Sequence, residues 1–260
     1  MQAVALHPDV IVVVSRAYAT SAVLVRGGSE AFLIDSPVFP DELEALGALA
    51  AQAEFPVVGL LTTHADWDHL LGGYAFPEAP LGAAESTAAR MISAPGEAQR
   101  ELREFDEEMY IVRPRPLSLP GAQQLPVPGK LDIGERELEL HPTGGHTNDG
   151  MALWAPWAGV LIVGDYLSPV EIPMLSETGS ISQYLSTLRV LGPLVAEAGH
   201  VVPGHGGPIE GERALAILRE DTSYLEALDT QGADAPLPLA RRTGPQRSIH
   251  AKNVERISPR

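Results

Sequence analysis

Six consecutive residues in the first third of the chain carry two imidazoles and two carboxylates. The sequence His64-Ala65-Asp66-Trp67-Asp68-His69 follows closely after the apolar run at residues 57–61. Because all four polar side chains donate lone pairs to divalent cations, a loop leaving a strand end can aim them at one point or at two adjacent points. A solvated acidic turn is the alternative reading. The cluster predicts a metal site and the buried strand that delivers it.

Three further segments each end an apolar run with a ligand-type residue beside glycine. They are residues 138–147 with Gly145-His146, residues 160–165 with Gly164-Asp165, and residues 200–206 with Gly204-His205. Each pattern predicts a buried strand followed by a turn, where glycine permits backbone conformations closed to other residues. Sites at strand ends are the usual arrangement in α/β proteins, so we expect these residues to converge.

These motifs, taken in order, resemble the metallo-β-lactamase superfamily, in the style of its glyoxalase-II-like hydrolase branch. The resemblance rests on His64-x-Asp66-x-Asp68-His69, Gly145-His146-Thr147, Gly164-Asp165 and Pro203-Gly204-His205-Gly206, and it extends from about residue 10 to residue 228. It implies an α/β fold, a four-layer αββα sandwich of two mixed sheets flanked by helices. The match is specific for the fold but not for the substrate, because that fold serves many reactions.

Carried over residue by residue, the resemblance implies two adjacent metal sites. The first would be held by His64, Asp66 and His146, the second by Asp68, His69 and His205, with Asp165 as the bridge. The chain departs from the usual pattern at Asp66, where the family has histidine. A carboxylate is a harder donor than imidazole and favours iron or manganese, whereas two histidines and one carboxylate remain an ordinary zinc set.

The expected cofactors are therefore two divalent metal ions, with Zn²⁺ favoured and Mn²⁺ or Fe²⁺ as alternatives. Three carboxylates, Asp66, Asp68 and Asp165, would almost neutralise such a pair. A more neutral pair polarises water less, so we expect a higher water pKa than in a site with histidine at position 66. Occupation of one site only is the second possibility.

The predicted function is that of a metallo-hydrolase, in which a metal-bound hydroxide cleaves an ester, thioester or lactone of a small molecule. Asp68 is the candidate catalytic residue, as a proton relay besides its ligand role. The sequence has neither a Gly-x-Ser-x-Gly elbow nor a cysteine to supply another nucleophile. Two alternatives stay open. One is a di-iron redox or oxygen-handling protein of the same fold, since Asp66 resembles the carboxylate of the flavodiiron branch, and the other is a non-catalytic metal-binding member.

The charge distribution bears on partners and location. The net charge is −16, and residues 236–260 hold six Lys or Arg side chains against Glu255, so the remainder carries about −21. So acidic a body repels phosphate backbones, which makes nucleic acid an unfavourable partner. The start of the chain lacks a basic region, and the apolar run at residues 10–14 is too short for a signal sequence or membrane span. We expect a cytoplasmic enzyme, not associated with membranes, for which homo-oligomerisation stays open.

A pass along the chain predicts one metallo-hydrolase domain over residues 1–235 and a basic, proline-containing extension over residues 236–260. Strands are expected at residues 10–14, 22–26, 31–34 and 57–61, and helices at residues 40–52, 97–110, 181–191 and 212–228. Residues 84–130 match an insert that covers the cleft in the family, so they are the candidate lid. The extension is predicted to be solvated or to pack on the acidic body, with contact to an anionic partner as the alternative.

Several other polar residues have two readings, of which the structural one is favoured or equal. Arg113 and Arg115 are read as surface arginines over substrate-binding ones, and His141 and His200 as structural over ligating. Asp35 is read as a loop cap over a neighbour of the metals. Tyr166 and Tyr184 are read as core over oxyanion-stabilising groups, and Trp67 is read equally as a pocket wall and as an anchor of its loop.

Overall fold

The computed structural model describes residues 1–119 and 121–258, and within them thirteen strands form two sheets. The first sheet has seven strands in sequence order. They are β1 (Gln2–His7), β2 (Val10–Val14), β3 (Ser21–Gly27), β4 (Glu30–Ile34), β5 (Val57–Leu61), β6 (Leu81–Ala84) and β7 (Gln123–Leu125). From β4 to β7 neighbouring strands are parallel, so their carboxyl ends lie at one edge.

The second sheet has six strands in the order β13-β12-β11-β10-β9-β8. They are β8 (Gly129–Ile133), β9 (Arg136–Pro142), β10 (Met151–Ala155), β11 (Val160–Gly164), β12 (His200–Pro203) and β13 (Ile209–Glu210). Strands β11 and β12 are parallel, and the others pair antiparallel. Both sheets are therefore mixed. The backbone of Met151 donates to the carbonyl of Thr63 at 2.8 Å, which joins the two sheets beside the loops that carry the histidines.

Helices cover the outer faces of both sheets. They are α1 (Pro40–Gln52), α2 (Gly72–Ala75), α3 (Glu85–Ser93), α4 (Glu97–Glu108), α5 (Ile181–Glu197), α6 (Gly211–Gln231) and α7 (Gly244–Ile257). Pro40 is the first residue of α1, where a backbone N–H would have no partner within the helix. At the start of α5, the Ser180 side chain accepts a hydrogen bond from the backbone N–H of Gln183.

Three apolar layers hold the sheets and helices together. Side chains such as Val23 and Leu153 fill the space between the sheets. Leu46 of α1 packs on the outer face of the first sheet, and α5, α6 and α7 pack on that of the second, through Leu188 and Ile217 among others. Burying one such side chain contributes roughly 1.5–3 kcal/mol. The order helix, sheet, sheet, helix confirms the predicted αββα sandwich.

The segment at residues 84–130 is more regular than its sequence suggested. It contains α3 and the short strand β7 besides the predicted helix at residues 97–110, which ends at Glu108. That helix is not simply exposed, because Leu102 and Phe105 on one side are buried against the loop around Leu70. The nine-residue helix α3 was not predicted, because so short a helix gives weak periodicity.

The C-terminal segment also departs from a solvated tail. Residues 244–257 form α7, whose Ile249 and Val254 pack against the core of α5 and α6, and whose Asn253 is fully buried. Of the two readings of the extension, packing on the body of the protein is the one observed. Within residues 1–119 and 121–258 no helix is both long enough and apolar enough to cross a membrane.

Candidate metal centre

The ends of four strands bring all seven candidate ligands to the edge where the two sheets meet. The loop after β5 carries His64, Asp66, Asp68 and His69, and the other three residues follow β9, β11 and β12. A backbone bridge between Thr20 and His205 links the first sheet to the loop after β12. The convergence expected from the sequence is thus present. A short helix at Trp67–His69 buries Asp68 and His69, the last two ligand-type residues of the loop.

The carboxylate of Asp165 lies at the centre of the cluster. Nε2 atoms of four histidines surround it. Oδ2 lies 3.7 Å from His64, 3.3 Å from His146 and 3.2 Å from His205, and Oδ1 lies 3.2 Å from His69. This is the position that a bridging ligand between two cations requires.

The other two carboxylates divide the histidines into two groups. Oδ2 of Asp66 faces His146 Nε2 at 3.3 Å and His64 Nε2 at 3.5 Å. On the other side, Asp68 faces His205 Nε2 at 3.6 Å and His69 Nε2 at 3.8 Å. These are the two ligand sets that the resemblance implied, and a third group, His64, His69 and Asp165, lies between them.

Each histidine turns Nδ1 toward an oxygen and Nε2 toward the cluster. Nδ1 of His146 donates to the carbonyl of Met174 at 2.9 Å, and Nδ1 of His205 donates to the carbonyl of Tyr18 at 3.1 Å. A carbonyl only accepts, so these two imidazoles carry the proton on Nδ1 when they are neutral. Their Nε2 lone pairs are then directed at the cluster, the usual arrangement of metal-ligating histidine.

Asp35 orders the remaining two histidines from the end of β4. Its carboxylate accepts from the backbone and the hydroxyl of Thr63, at 2.8 and 2.9 Å, and its Oδ2 lies 3.1 Å from Nδ1 of His69. Because the Thr63 hydroxyl donates to Asp35, it accepts from Nδ1 of His64, 3.0 Å away. Asp35 therefore both caps the loop, as favoured from the sequence, and adjoins the candidate centre.

The donor set fits divalent cations on three counts. Ligands of a tetrahedral zinc site lie about 3.3 Å apart, given metal–ligand distances of about 2.0–2.1 Å, and the oxygen–nitrogen separations here cluster around that value. Nε2 of His64, Nε2 of His69 and Oδ1 of Asp165 are buried without a hydrogen-bond partner among the described residues. Finally, a Cβ on Gly204 would overlap Oδ1 of Asp165, so only glycine leaves the carboxylate its place.

Without a cation the cluster holds protons instead. Burial opposes a charged imidazole, yet the facing carboxylates outweigh it and raise the pKa of His146 to about 9 and that of His205 to about 10. Conversely, burial would raise the pKa of Asp66, but His64 and His146 hold it well below its usual range. The site thus combines ionised carboxylates with imidazoles that must lose a proton before they bind a metal.

An arginine that the sequence did not single out contacts the unusual ligand. Nη1 of Arg90 lies 2.7 Å from Oδ1 of Asp66 and 3.1 Å from Oδ1 of Asp149. Asp149 is buried, and its Oδ2 accepts from the backbone of Ala65 at 3.0 Å. Arg90 therefore ties the ligand loop, α3 and the loop after His146 together. Its helix was not predicted, and no local motif marks an arginine as the neighbour of a residue 24 positions earlier.

The aromatic candidates support the ligands from behind. The hydroxyl of Tyr166 accepts from the backbone of His146 at 3.2 Å, and that of Tyr184 donates to the carbonyl of Asp165 at 3.0 Å. Both rings are buried, which agrees with the core reading. Trp67 packs on Phe105 of α4 with ring centroids 4.8 Å apart, so it anchors the ligand loop.

Two histidines predicted to be structural and two arginines predicted to be exposed lie outside the ligand groups. His141 and His200 face Glu139 and Glu210 and belong to none of the three ligand groups. Arg115 donates to the carbonyl of Gly73 and is exposed. Arg113 is not the surface arginine expected, because its side chain is only 5% exposed and pairs with Asp106 at 2.8 Å. Because Arg113 lies beyond the end of α4, no helix periodicity predicts this pair.

A cleft of about 1100 Å³ opens beside the cluster. Asp66 and Arg90 lie at it, one wall comes from α3 and α4 with Ser93 and Glu101, and the opposite wall includes Lys252 of α7. Burial and the neighbouring carboxylates raise the pKa of Glu101 to about 7. The candidate lid and the C-terminal helix thus both contribute to the surroundings of the cluster.

One family model and several solved structures match the chain. The family model described as the metallo-beta-lactamase superfamily matches residues 16–205. No curated protein matches the chain. Among solved structures, the DIM-1 metallo-β-lactamase is 21% identical, with a TM-score of 0.61 over 86% of this chain and 96% of that one.

Two further structures cover nearly the whole chain. A metallo-β-lactamase family protein from Thermus thermophilus is 23% identical, with a TM-score of 0.68 over 97% of this chain and 93% of that one. The sec-alkylsulfatase Pisa1 from Pseudomonas sp. is 14% identical, with a TM-score of 0.73 over 98% of this chain but 49% of that one. The chain spans only about half the alkylsulfatase. Identities this low establish the shared fold alone.

Proposed function

The chain belongs to the metallo-β-lactamase superfamily, and we propose that it is a metal-dependent hydrolase that cleaves an ester, thioester or lactone bond of a small molecule. One observation carries the proposal. Four buried imidazoles present Nε2 to the Asp165 carboxylate at 3.2 to 3.7 Å, and the cluster adjoins a cleft large enough for a small substrate.

The residues would hold two divalent cations, of which Zn²⁺ is favoured. His64, Asp66 and His146 would bind the first, Asp68, His69 and His205 the second, and Asp165 would bridge them. When bound, such a pair lowers the pKa of a shared water and stabilises the oxyanion that develops on the substrate. Asp66 and Arg90 line the cleft, so a substrate bound there would meet the candidate site beside this ion pair.

Proton transfer is assigned to Asp68. It is buried, faces two histidines, and its Oδ2 accepts a long hydrogen bond of 3.4 Å from the hydroxyl of Thr20. A carboxylate in that position can pass a proton from the attacking water to the leaving group while it remains a ligand. The charge of the chain argues for a neutral or weakly charged small molecule over a nucleic acid, since acidic side chains such as Glu97 and Glu101 line the cleft.

The proposal is tested with a substrate panel and matched histidine variants. Lactone, thioester, β-lactam, sulfate ester and phosphodiester substrates are assayed with protein loaded with zinc, manganese or iron. His146→Ala and His205→Ala should abolish the activity found, whereas His141→Ala and His200→Ala, each five residues earlier in the chain, should retain it.

The metal content of the same five proteins gives an independent check. We expect close to two cations per wild-type chain and a loss in the His146 and His205 variants only. A colourless zinc protein with carbonyl hydrolase activity supports the proposal. A chelator-insensitive protein inert on every substrate would contradict it, and an iron protein with a visible spectrum and no hydrolysis would favour redox chemistry.

A further inference from the structure

Asn253 of α7 hydrogen-bonds to the backbone on both sides of Met174. Its Nδ2 donates to the carbonyl of Pro173 at 2.7 Å, and its Oδ1 accepts from the backbone N–H of Leu175 at 2.9 Å. The side chain is fully buried. A buried amide that satisfies both neighbouring peptide groups leaves the peptide of Met174 little freedom to rotate.

The carbonyl of Met174 in turn holds a candidate ligand. It accepts from Nδ1 of His146 at 2.9 Å, and Nε2 of that histidine points at Asp66 and Asp165 at 3.3 Å each. Three contacts thus connect the C-terminal helix to one ligand of the first set. Asn253 itself lies beyond residue 205, where the match to the family model ends.

We propose that Asn253 is a positioning residue of the metal centre, which orients His146 through the Met174 carbonyl. This inference rests on the proposed function, because it takes His146 as a ligand. Groups that bond the second nitrogen of a ligating histidine fix its tautomer and its direction, and their loss weakens metal binding. Asn253 acts one step further out, on the carbonyl that performs this task.

The alternative is that Asn253 only stabilises the packing of α7 and has no effect on the metal centre. Its Nδ2 also donates to the hydroxyl of Tyr224 at 3.1 Å, and that hydroxyl contacts Nδ1 of His250 at 3.0 Å. These contacts tie α7 to α6 and do not involve the segment from Pro173 to Leu175. Tyr224→Phe is therefore a matched control, since it removes one hydrogen bond of Asn253 and leaves the two beside Met174.

The experiment compares the wild type, Asn253→Ala and Tyr224→Phe after removal of metal with a chelator. Each protein is titrated with Co²⁺, whose visible spectrum reports ligand geometry, and with Zn²⁺ in competition. We expect Asn253→Ala to bind one of its two cations about 10-fold more weakly, with an altered Co²⁺ spectrum, and to bind the other as the wild type does. Tyr224→Phe should match the wild type in both.

Further variants secure the interpretation. In a His146→Ala background, Asn253→Ala should cause no additional loss of affinity, because its effect passes through that histidine. If Asn253→Ala does not fold, Asn253→Asp replaces it, since the carboxylate still accepts from Leu175 but cannot donate to Pro173.

The possible results distinguish the two proposals. Two cations bound by the wild type, with unchanged affinities and spectrum in Asn253→Ala, overturn the role of Asn253 and leave the metal centre standing. Equal weakening in Asn253→Ala and Tyr224→Phe also overturns it, in favour of general stability. A wild type that binds no cation overturns both proposals.

Discussion

Nη1 of Arg90 lies 2.7 Å from Oδ1 of Asp66, while Oδ2 of the same carboxylate faces the candidate ligands His64 and His146. One oxygen of the carboxylate therefore binds a guanidinium, and the other faces the candidate metal centre. This contact bears on the effect of having aspartate, where the family has histidine, at position 66. The extra negative charge of Asp66 is partly offset by Arg90, so the higher water pKa expected from the sequence need not follow from Asp66 alone.

Arg90→Gln should raise the pKa of the water at the metal centre. The substitution removes a positive charge that favours deprotonation, and the loss of a unit charge at the edge of such a site shifts the pKa by roughly one unit. The measurement is the pH dependence of the visible spectrum of the Co²⁺-loaded protein, or of the rate once a substrate is found. Arg100→Gln is the control, because Arg100 is exposed on α4 and bonds only to the carbonyl of Pro95 among its described contacts. An unchanged pH profile in Arg90→Gln would count against the electrostatic role.

Asp66→His should weaken the binding of the first cation, although it restores the histidine that the family has at this position. The new imidazole would face the guanidinium of Arg90, which would keep only Asp149 and the more distant Glu97 as counter-charges. In the double variant Asp66→His/Arg90→Gln that conflict is gone. We therefore expect the double variant to bind the first cation more tightly than Asp66→His alone, a non-additive result measured by metal titration. Additive effects would mean that the two residues act independently.

Gly204→Ala should remove the binding of the cation pair. An alanine Cβ would overlap Oδ1 of Asp165 and lie 3.1 Å from Cε1 of His69, so the bridging carboxylate would have to move. Gly73→Ala is the matched control, because a Cβ at that position meets no atom within 4 Å. We expect fewer than two cations per chain in the first variant and the wild-type number in the second. Full occupancy in Gly204→Ala would show that Asp165 is not needed as a bridge.

The convergence of the candidate ligands can be predicted from the sequence, whereas the residues around them cannot, for a physical reason. His64, His146, Asp165 and His205 each follow an apolar strand, and the geometry of a mixed sheet brings such strand ends to one edge. Strand and turn are local signals, so the convergence can be predicted from local sequence.

Arg90, Asp149 and Asn253 carry no such signal. Their side chains come from a short helix, a loop and the C-terminal helix, and they contact the cluster or the backbone behind it. Each contact spans between 24 and 80 residues of chain. Arg113 was assigned to the surface for the same reason, since its burial depends on how α4 packs. These contacts depend on how separate elements pack against one another, and local periodicity does not predict that packing.

Metal binding should release protons at neutral pH. In the metal-free protein the pKa of His146 is about 9 and that of His205 about 10, because facing carboxylates outweigh the effect of burial. Both values lie above the ordinary value of about 6.5, so the protonated imidazoles stabilise the metal-free fold fully below about pH 6.5, and this stability is lost as the pH rises through 9 and 10. A cation must displace these protons.

Calorimetric titration with zinc in buffers of different ionisation enthalpy measures the release. We expect each of the two histidines to lose its proton at pH 7 and the release to fall steeply between pH 9 and 10. The melting temperature of the metal-free protein should decrease over the same range, whereas that of the zinc-loaded protein should not. Proton-free binding at pH 7 would contradict the arrangement of carboxylates around the imidazoles.

Arg241→Met should destabilise the fold, and more at pH 8 than at pH 5. Nη2 of Arg241 lies 2.7 Å from Oδ1 of Asp221 with both side chains 1% exposed, and Nη1 donates to the carbonyls of Ser168 and Glu171. Burial raises the pKa of Asp221 to about 7, even though Arg241 pulls it down. Without the arginine a buried carboxylate is left unpaired, which costs about 3–5 kcal/mol when it is ionised.

The pH dependence follows from the sign of that shift. A carboxyl group whose pKa in the folded protein exceeds its value of about 3.9 in the unfolded chain loses stabilising protonation as the pH rises, and removal of Arg241 raises its pKa further. At pH 5 Asp221 can take up a proton and escape most of the penalty, so denaturant unfolding should give a smaller loss there. Arg242→Met, one residue later and exposed, should match the wild type. The double variant Asp221→Leu/Arg241→Met should recover much of the stability, because an apolar pair can replace a buried ion pair with little loss of stability. Equal losses of stability in Arg241→Met at both pH values would refute the assignment of the penalty to Asp221.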